Sequence, residues 1–110
     1  MNVSVNEITA TFINEVQGQL KEEREGNWVN ANKHADEINK LANKLKKMGS
    51  TGESELINLA NHQDPYVRLW AACNLDESAK EYAIKVLEEL ALHPNEDYGH
   101  KAQIHLDYNM

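Results

Sequence analysis

The sequence predicts an all-α protein of about six antiparallel helices, and three observations carry that reading. Apolar residues recur every three or four positions over long stretches, the period of one helical face. Most of the glycines and prolines, and the short capping residues, fall between those stretches. No segment alternates β-branched and polar residues as a half-buried strand would.

The first helix is read over Val5 to Arg24, where Val5, Ile8, Phe12, Val16 and Leu20 form the stripe. Gly26 ends it, because glycine takes the left-handed conformation just past a helix at no steric cost, and Asn27 is the expected N-cap of the next. The second, Trp28 to Met48, is the most regular: Trp28, Ala31, Ala35, Ile38, Ala42 and Leu45 follow a strict 3–4 spacing, and Leu41 widens the seam. Lys44, Lys46 and Lys47 lie in its last turn, where cations complement the helix dipole, and Gly49 stops it. Together, residues 5–48 are expected to form a long helical hairpin.

The later starts rest on local chemistry. "STGE" and "SAKE" place Ser50 before Glu53 and Ser78 before Glu81 at capping-box spacing. In "DP", Asp64 caps and Pro65 takes the first helical position, where its missing N–H costs nothing. "PNED" offers Asn95 as a cap, with acids in the first turn. Connections this short imply antiparallel neighbours.

The second half repeats. Shifted by 31 positions without gaps, Leu56 meets Leu87, Leu59 meets Leu90, Ala60 meets Ala91 and His62 meets His93. Ala71 then meets Ala102, Leu75 meets Leu106, and Val67 falls opposite Tyr98. Agreement mostly at small and apolar positions is what two stacked helix–turn–helix units need. Residues 51–75 and 78–107 are the expected units, within a single domain spanning 1–110. Arg68 is placed to pair with Asp64 or with an acid of the next unit.

"DPYVRLWAACNL" resembles the second helix of a HEAT repeat: a turn with an acid and proline, Val-Arg, small residues, then Leu. The wider run from "GNWVNANKHADEINKLANKLKKMG" through "LINLANHQDPYVRLWAACNL" to "VLEELA" is similar to a small bacterial family, the domain-of-unknown-function family numbered two thousand and nineteen. HEAT resemblance implies stacked helix pairs in an α-α superhelix, with function in surface binding. The family implies no activity to transfer.

Composition excludes several classes. At 110 residues with 41% hydrophobic and 26% charged side chains, the chain has the makeup of a soluble globular domain. No run approaches the roughly 20 apolar residues that cross a bilayer, so no membrane is expected. The start lacks the features of a secretory signal, and Cys73 is the single cysteine, so the cytoplasm is the expected location. A net charge of −7 argues against nucleic acid, whose phosphates require clustered Lys and Arg. Residues 56–110 carry four basic and nine acidic side chains; surface acids that keep a small protein soluble are the first reading of that excess, and attraction of a basic protein partner is the second.

Chemical candidates are weak by comparison. His100 and His105 are five apart, unlike the i, i+4 pair of a zinc helix; Glu96 and His100 could share a face. His62 and His93 end equivalent helices, where imidazoles commonly satisfy orphan carbonyls. Cys73 sits among alanines as a small hydrophobe. Glu22, Glu23 and Glu25 mix with Lys21 and Arg24 as a solvated helix end. No cofactor or metal is therefore expected. The helix wheel sets Tyr66, Leu69 and Trp70 partly off the core face, and with Glu77, Glu81 and Glu88 they form the candidate protein-binding surface, although Trp70 itself is first expected to be covered by the N-terminal hairpin, through Trp28 or Phe12.

The leading expectation is a non-enzymatic protein-interaction module of the kind that neutralises a basic toxin, as immunity proteins do. The alternative is a metal-dependent or small-molecule-binding enzyme with His62, Asp64, His93, Glu96 and His100 as ligands. A homo-oligomer sharing the Trp28 to Leu45 seam is a third arrangement.

Overall fold

The computed structural model describes residues 4–109, so the predicted domain's residues 1–3 and 110 lie outside the described residues. Among the described residues six α-helices follow one another: α1 (Val5–Arg24), α2 (Trp28–Lys47), α3 (Ser50–Leu59), α4 (Pro65–Cys73), α5 (Lys80–Ala91) and α6 (Asp97–Asn109). A 3-10 turn, Glu77–Ala79, precedes α5. No strand occurs among the described residues, and the all-α class holds. The chain divides into two compact units, one ending at Leu56 and the other beginning at Ile57, a boundary inside α3.

The first unit is built on the α1–α2 hairpin. Ser4 opens α1, its Oγ accepting the Glu7 N–H at 3.1 Å. At the other end, Gly26 adopts φ +77°, its N–H donates to Glu23 O, and the Asn27 N–H donates to Glu22 O. That pair of bonds is a Schellman closure, which satisfies the last carbonyls of α1. Asn27 then caps α2 by accepting from the Asn30 N–H, so three residues turn the chain back on itself.

The core of this hairpin follows the middle of the predicted stripes, while Val5, Leu20 and Ala35 are only half-buried and Trp28 departs from them. Ile8, Phe12 and Val16 of α1 and Ala31, Ile38, Leu41, Ala42 and Leu45 of α2 are buried. Full burial of one such large side chain contributes about 1.5–3 kcal/mol. Trp28, predicted to head the seam, is instead 61% exposed. It is the first residue of α2, beside a last turn of α1 that offers charged Lys21–Arg24 in place of an apolar partner. Since Ala31, Ile38, Ala42 and Leu45 are buried within the chain, they do not form a seam free for a second copy.

Gly52 brings α3 against α2: a Cβ there would overlap the Leu45 carbonyl. Gly49, at φ +74°, makes the preceding turn. Because α3 begins at Ser50 and the Glu53 N–H bonds to Gly49 O, Ser50 lies inside the first turn and is not the predicted cap.

The second unit packs α4, α5 and α6 in mutual contact. Asp64 caps α4 as expected, its Oδ1 accepting the Tyr66 N–H at 2.8 Å, with Pro65 in the first turn. Val67, Ala71, Ala72, Ala83, Val86, Leu87, Leu90 and Ala102 form the core. Gly99 lets α6 approach the backbone at the end of α5, because a Cβ there would overlap the carbonyl oxygen of His93, just past that helix, and crowd that of Leu90. Two predicted caps are corrected. Ala79, not Ser78, stands at the N-cap of α5, because the 3-10 turn intervenes. The Glu96 carbonyl, not Asn95, opens α6 by accepting from the His100 N–H. In the repeat, Leu56 and Leu87, Leu59 and Leu90, and Ala71 and Ala102 are buried in both copies.

Candidate functional site

Among the six residues predicted to form a binding surface, the structure separates the apolar from the acidic. Tyr66 and Leu69 are buried, at 8% and 5% exposure, and Trp70 is half-buried, so the two former do not form a free surface. The cause is the character of α4. In "PYVRLWAAC" Arg68 is the only charged residue, and a helix apolar nearly all round buries most of its circumference. Tyr66 meets Tyr98 edge-on at 5.6 Å between ring centroids, and its hydroxyl reaches Asp97 Oδ2 at 3.4 Å, both on α6. Glu77, Glu81 and Glu88 are exposed as expected.

The acids sit beside a groove the sequence did not reveal. Lys85, Glu88 and Glu89 of α5, and Leu92 just past its end, are exposed, away from the side that buries Ala83, Val86, Leu87 and Leu90. With Ala91 of α5 and Gln103 and Leu106 of α6 they line an open groove of about 510 Å³. Leu92 is 77% exposed, just past the end of α5. The signal available in sequence was Leu92 following Leu90 out of phase with the Val86, Leu87, Leu90 stripe.

A second, smaller cavity of about 250 Å³ is lined by Cys73, Leu75, Asp76, Glu77, Lys80 and His105, among others. It gathers a thiol, an imidazole and carboxylates from separate stretches of the sequence. Burial pushes the Cys73 thiol up to about 12, so it is held as the protonated thiol, a poor nucleophile and metal ligand. Burial also lowers His105 below its ordinary value.

The other histidines do not assemble a site. Among the described residues no three His, Cys, Asp or Glu side chains converge to hold a metal ion, and the set His62, Asp64, His93, Glu96 and His100 does not come together as one. His62 accepts the Asp64 N–H at Nδ1 (3.0 Å), so it supports the turn before α4 and does not donate to an orphan carbonyl as expected. His93 is exposed, tilted toward Tyr98 with ring centroids 6.0 Å apart. Arg68 does not take up the expected pairing with Asp64, whose carboxylate caps Tyr66; its Nε is buried without a hydrogen-bond partner among the described residues.

One polar pair in the first unit leaves no mark in the sequence pattern. His34 Nδ1 donates to Glu15 Oε2 at 2.6 Å, joining α2 to α1 across 19 positions. A carboxylate only accepts, so the proton lies on Nδ1. The ring rests on Gly18, where a Cβ would come within 2.8 Å of Cε1. Nothing at the level of spacing links residues so far apart. Lys21, Glu22, Glu23, Arg24 and Glu25 are half-buried or exposed at the hairpin end, and Gln19 Nε2 donates to Glu23, consistent with a solvated turn.

Among the described residues no helix is long and apolar enough to cross a membrane. No protein-family model matches the chain, and no curated protein or solved structure is significantly similar to it.

Proposed function

We propose that this chain is a non-enzymatic protein-binding module, a HEAT-like stack of paired helices that recognises a basic protein partner through its second unit. The resemblance to HEAT repeats and to the small bacterial family rests on the helical residues quoted above. The observation that carries the proposal is the groove between α5 and α6, with an exposed leucine at an acidic rim. Residues 57–110 hold nine acidic and four basic side chains, and such a field speeds the encounter with a basic protein. A cytoplasmic immunity-type role, in which the module blocks a basic toxin, is the specific form of this reading.

The test is co-purification of the tagged full chain from its native host, identification of what is retained, and reconstitution from purified components. A basic protein that binds at physiological salt, and more weakly as salt rises, is the expected result. Absence of any reconstituted partner contradicts the proposal.

A further inference from the structure

We propose that the α5–α6 groove is the docking site for a basic amphipathic helix of a partner protein, whose apolar side chain seats against Leu92 and Leu106 while its lysines or arginines meet Glu88 and Glu89. The proposal rests on the protein-binding reading above and adds the site and the form of the ligand.

Three features lead to it. First, Leu92 is 77% exposed and contributes little to the chain's own core, whereas the leucines before it, Leu87 and Leu90, are fully buried. An exposed leucine beside a groove of about 510 Å³ offers an apolar anchor point. Second, the groove runs between two helices, and helix-in-groove recognition matches that shape, one apolar face of the ligand lying along it. Third, the charges choose the occupant. Glu88 and Glu89 are exposed at the rim against a single lining cation, Lys85, and Glu81 and Asp107 are exposed on the same two helices. A second copy would bring the same acids to the same face, and like charges brought together are repelled. A ligand with a basic face meets the rim with opposite charge.

The repeat sharpens the contrast. At a shift of 31, Gln103 corresponds to Ala72 and Leu92 to Asn61. The first copy buries Ala72 and puts an asparagine outside; the second exposes Gln103 and puts a leucine outside. The second copy thus departs from the first by presenting an apolar side chain to solvent.

The experiment uses the ¹⁵N-labelled full chain and two synthetic helical peptides with the same leucine face, one with lysines on the opposite face and one with glutamates. The lysine peptide is expected to shift amides of Lys85–Leu92 and Gln103–Leu106, and the glutamate peptide to leave them in place. Leu92→Asp, and separately Glu88→Lys with Glu89→Lys, should each weaken binding by about 10-fold or more, the scale expected when a leucine loses its burial. Asp36→Lys with Glu37→Lys on exposed α2 is the control and should retain most of the affinity. All these positions are exposed, so the fold is expected to persist, checked by far-ultraviolet circular dichroism, with Leu92→Ala as a milder variant.

Equal weakening by the control pair, shifts centred on another helix, or binding of both peptides alike would overturn the groove. So would a concentration-dependent dimer that Leu92→Asp abolishes. A reconstituted native partner indifferent to Leu92→Asp overturns the groove while leaving the protein-binding reading intact. A chain that binds the lysine peptide here yet retains no native partner supports the groove and contradicts that reading.

Discussion

Tyr66 and Asp97 stand 31 positions apart, the spacing of the internal repeat, and meet in space: the Tyr66 hydroxyl donates to Asp97 Oδ2 at 3.4 Å. The contact joins the start of α4 to the start of α6, the two helices that the repeat sets in register. Around it, Tyr98 meets the Tyr66 ring edge-on, Lys101 Nζ lies 5.9 Å from its centroid, and Lys101 pairs with Asp97 at 3.0 Å. At 3.4 Å the hydroxyl bond is long, and the Lys101–Asp97 pair is partly exposed, so the buried ring is expected to carry most of the energy. Tyr66→Phe should therefore cost under about 0.5 kcal/mol and Tyr66→Ala about 3 kcal/mol, measured by urea denaturation. A larger loss for Tyr66→Phe would mean that the hydroxyl, not the ring, ties the helices together.

Gly52 and Gly99 are expected to be the glycines least tolerant of a methyl group. A Cβ at either would overlap a backbone carbonyl oxygen, Leu45 O or His93 O, which cannot swing aside as a side-chain tip can. Alanine at each should destabilise by about 2 kcal/mol or more, the range of overpacking. Gly26→Ala, in open space at φ +77°, should cost about 1 kcal/mol from backbone strain alone. Chemical denaturation of the three variants checks the order; a neutral Gly52→Ala would contradict the close approach of α3 to α2.

Tyr82→Phe is expected to be neutral or to stabilise by up to about 1 kcal/mol. The Tyr82 hydroxyl is buried with no hydrogen-bond partner among the described residues, so the native chain bears the desolvation of a group that gains nothing in return. Removing the oxygen relieves that cost while the ring stays. A loss above about 1 kcal/mol would show that the hydroxyl is satisfied by a group such as a bound water.

Acid should find His105. Burial disfavours its imidazolium, placing its folded value below the ordinary 6.5 that applies to the unfolded chain. As pH falls below 6.5, the unfolded state takes up this proton first, so the contribution of neutral His105 is present above 6.5 and is lost as pH falls toward the folded value. His105→Gln should flatten the decline of melting temperature in that window. An unchanged slope would mean that another group governs it.

Much of the architecture was legible because it rests on local chemistry. The stripe of Ile8, Phe12 and Val16, the positive φ of Gly26 and Gly49, and the start of α4 at Asp64-Pro65 depend on residues within a turn or two of one another. The misplaced starts have a tertiary origin. Ser50, Ser78 and Asn95 look as good as Asp64 in isolation, yet the starts of α3 and α6 coincide with the close approaches at Gly52 and Gly99, and α5 begins only after a 3-10 turn. The candidate surface was half legible: Glu77, Glu81 and Glu88 are exposed, but Tyr66 and Leu69 turned inward because α4 meets both α5 and α6, and a wheel drawn for one buried face cannot show two. The groove beside Leu92 belongs to the same class of feature, since it needs α6 to be set against α5 before it exists.

The most direct measurement is a hydrogen-exchange footprint of the full chain with and without its reconstituted partner. Slowed exchange concentrated in α5 and α6, around Lys85–Leu92 and Gln103–Leu106, is the expected result. Protection confined to the α1–α2 hairpin, with α5 and α6 exchanging as in the free chain, would contradict the claim that the second unit carries recognition.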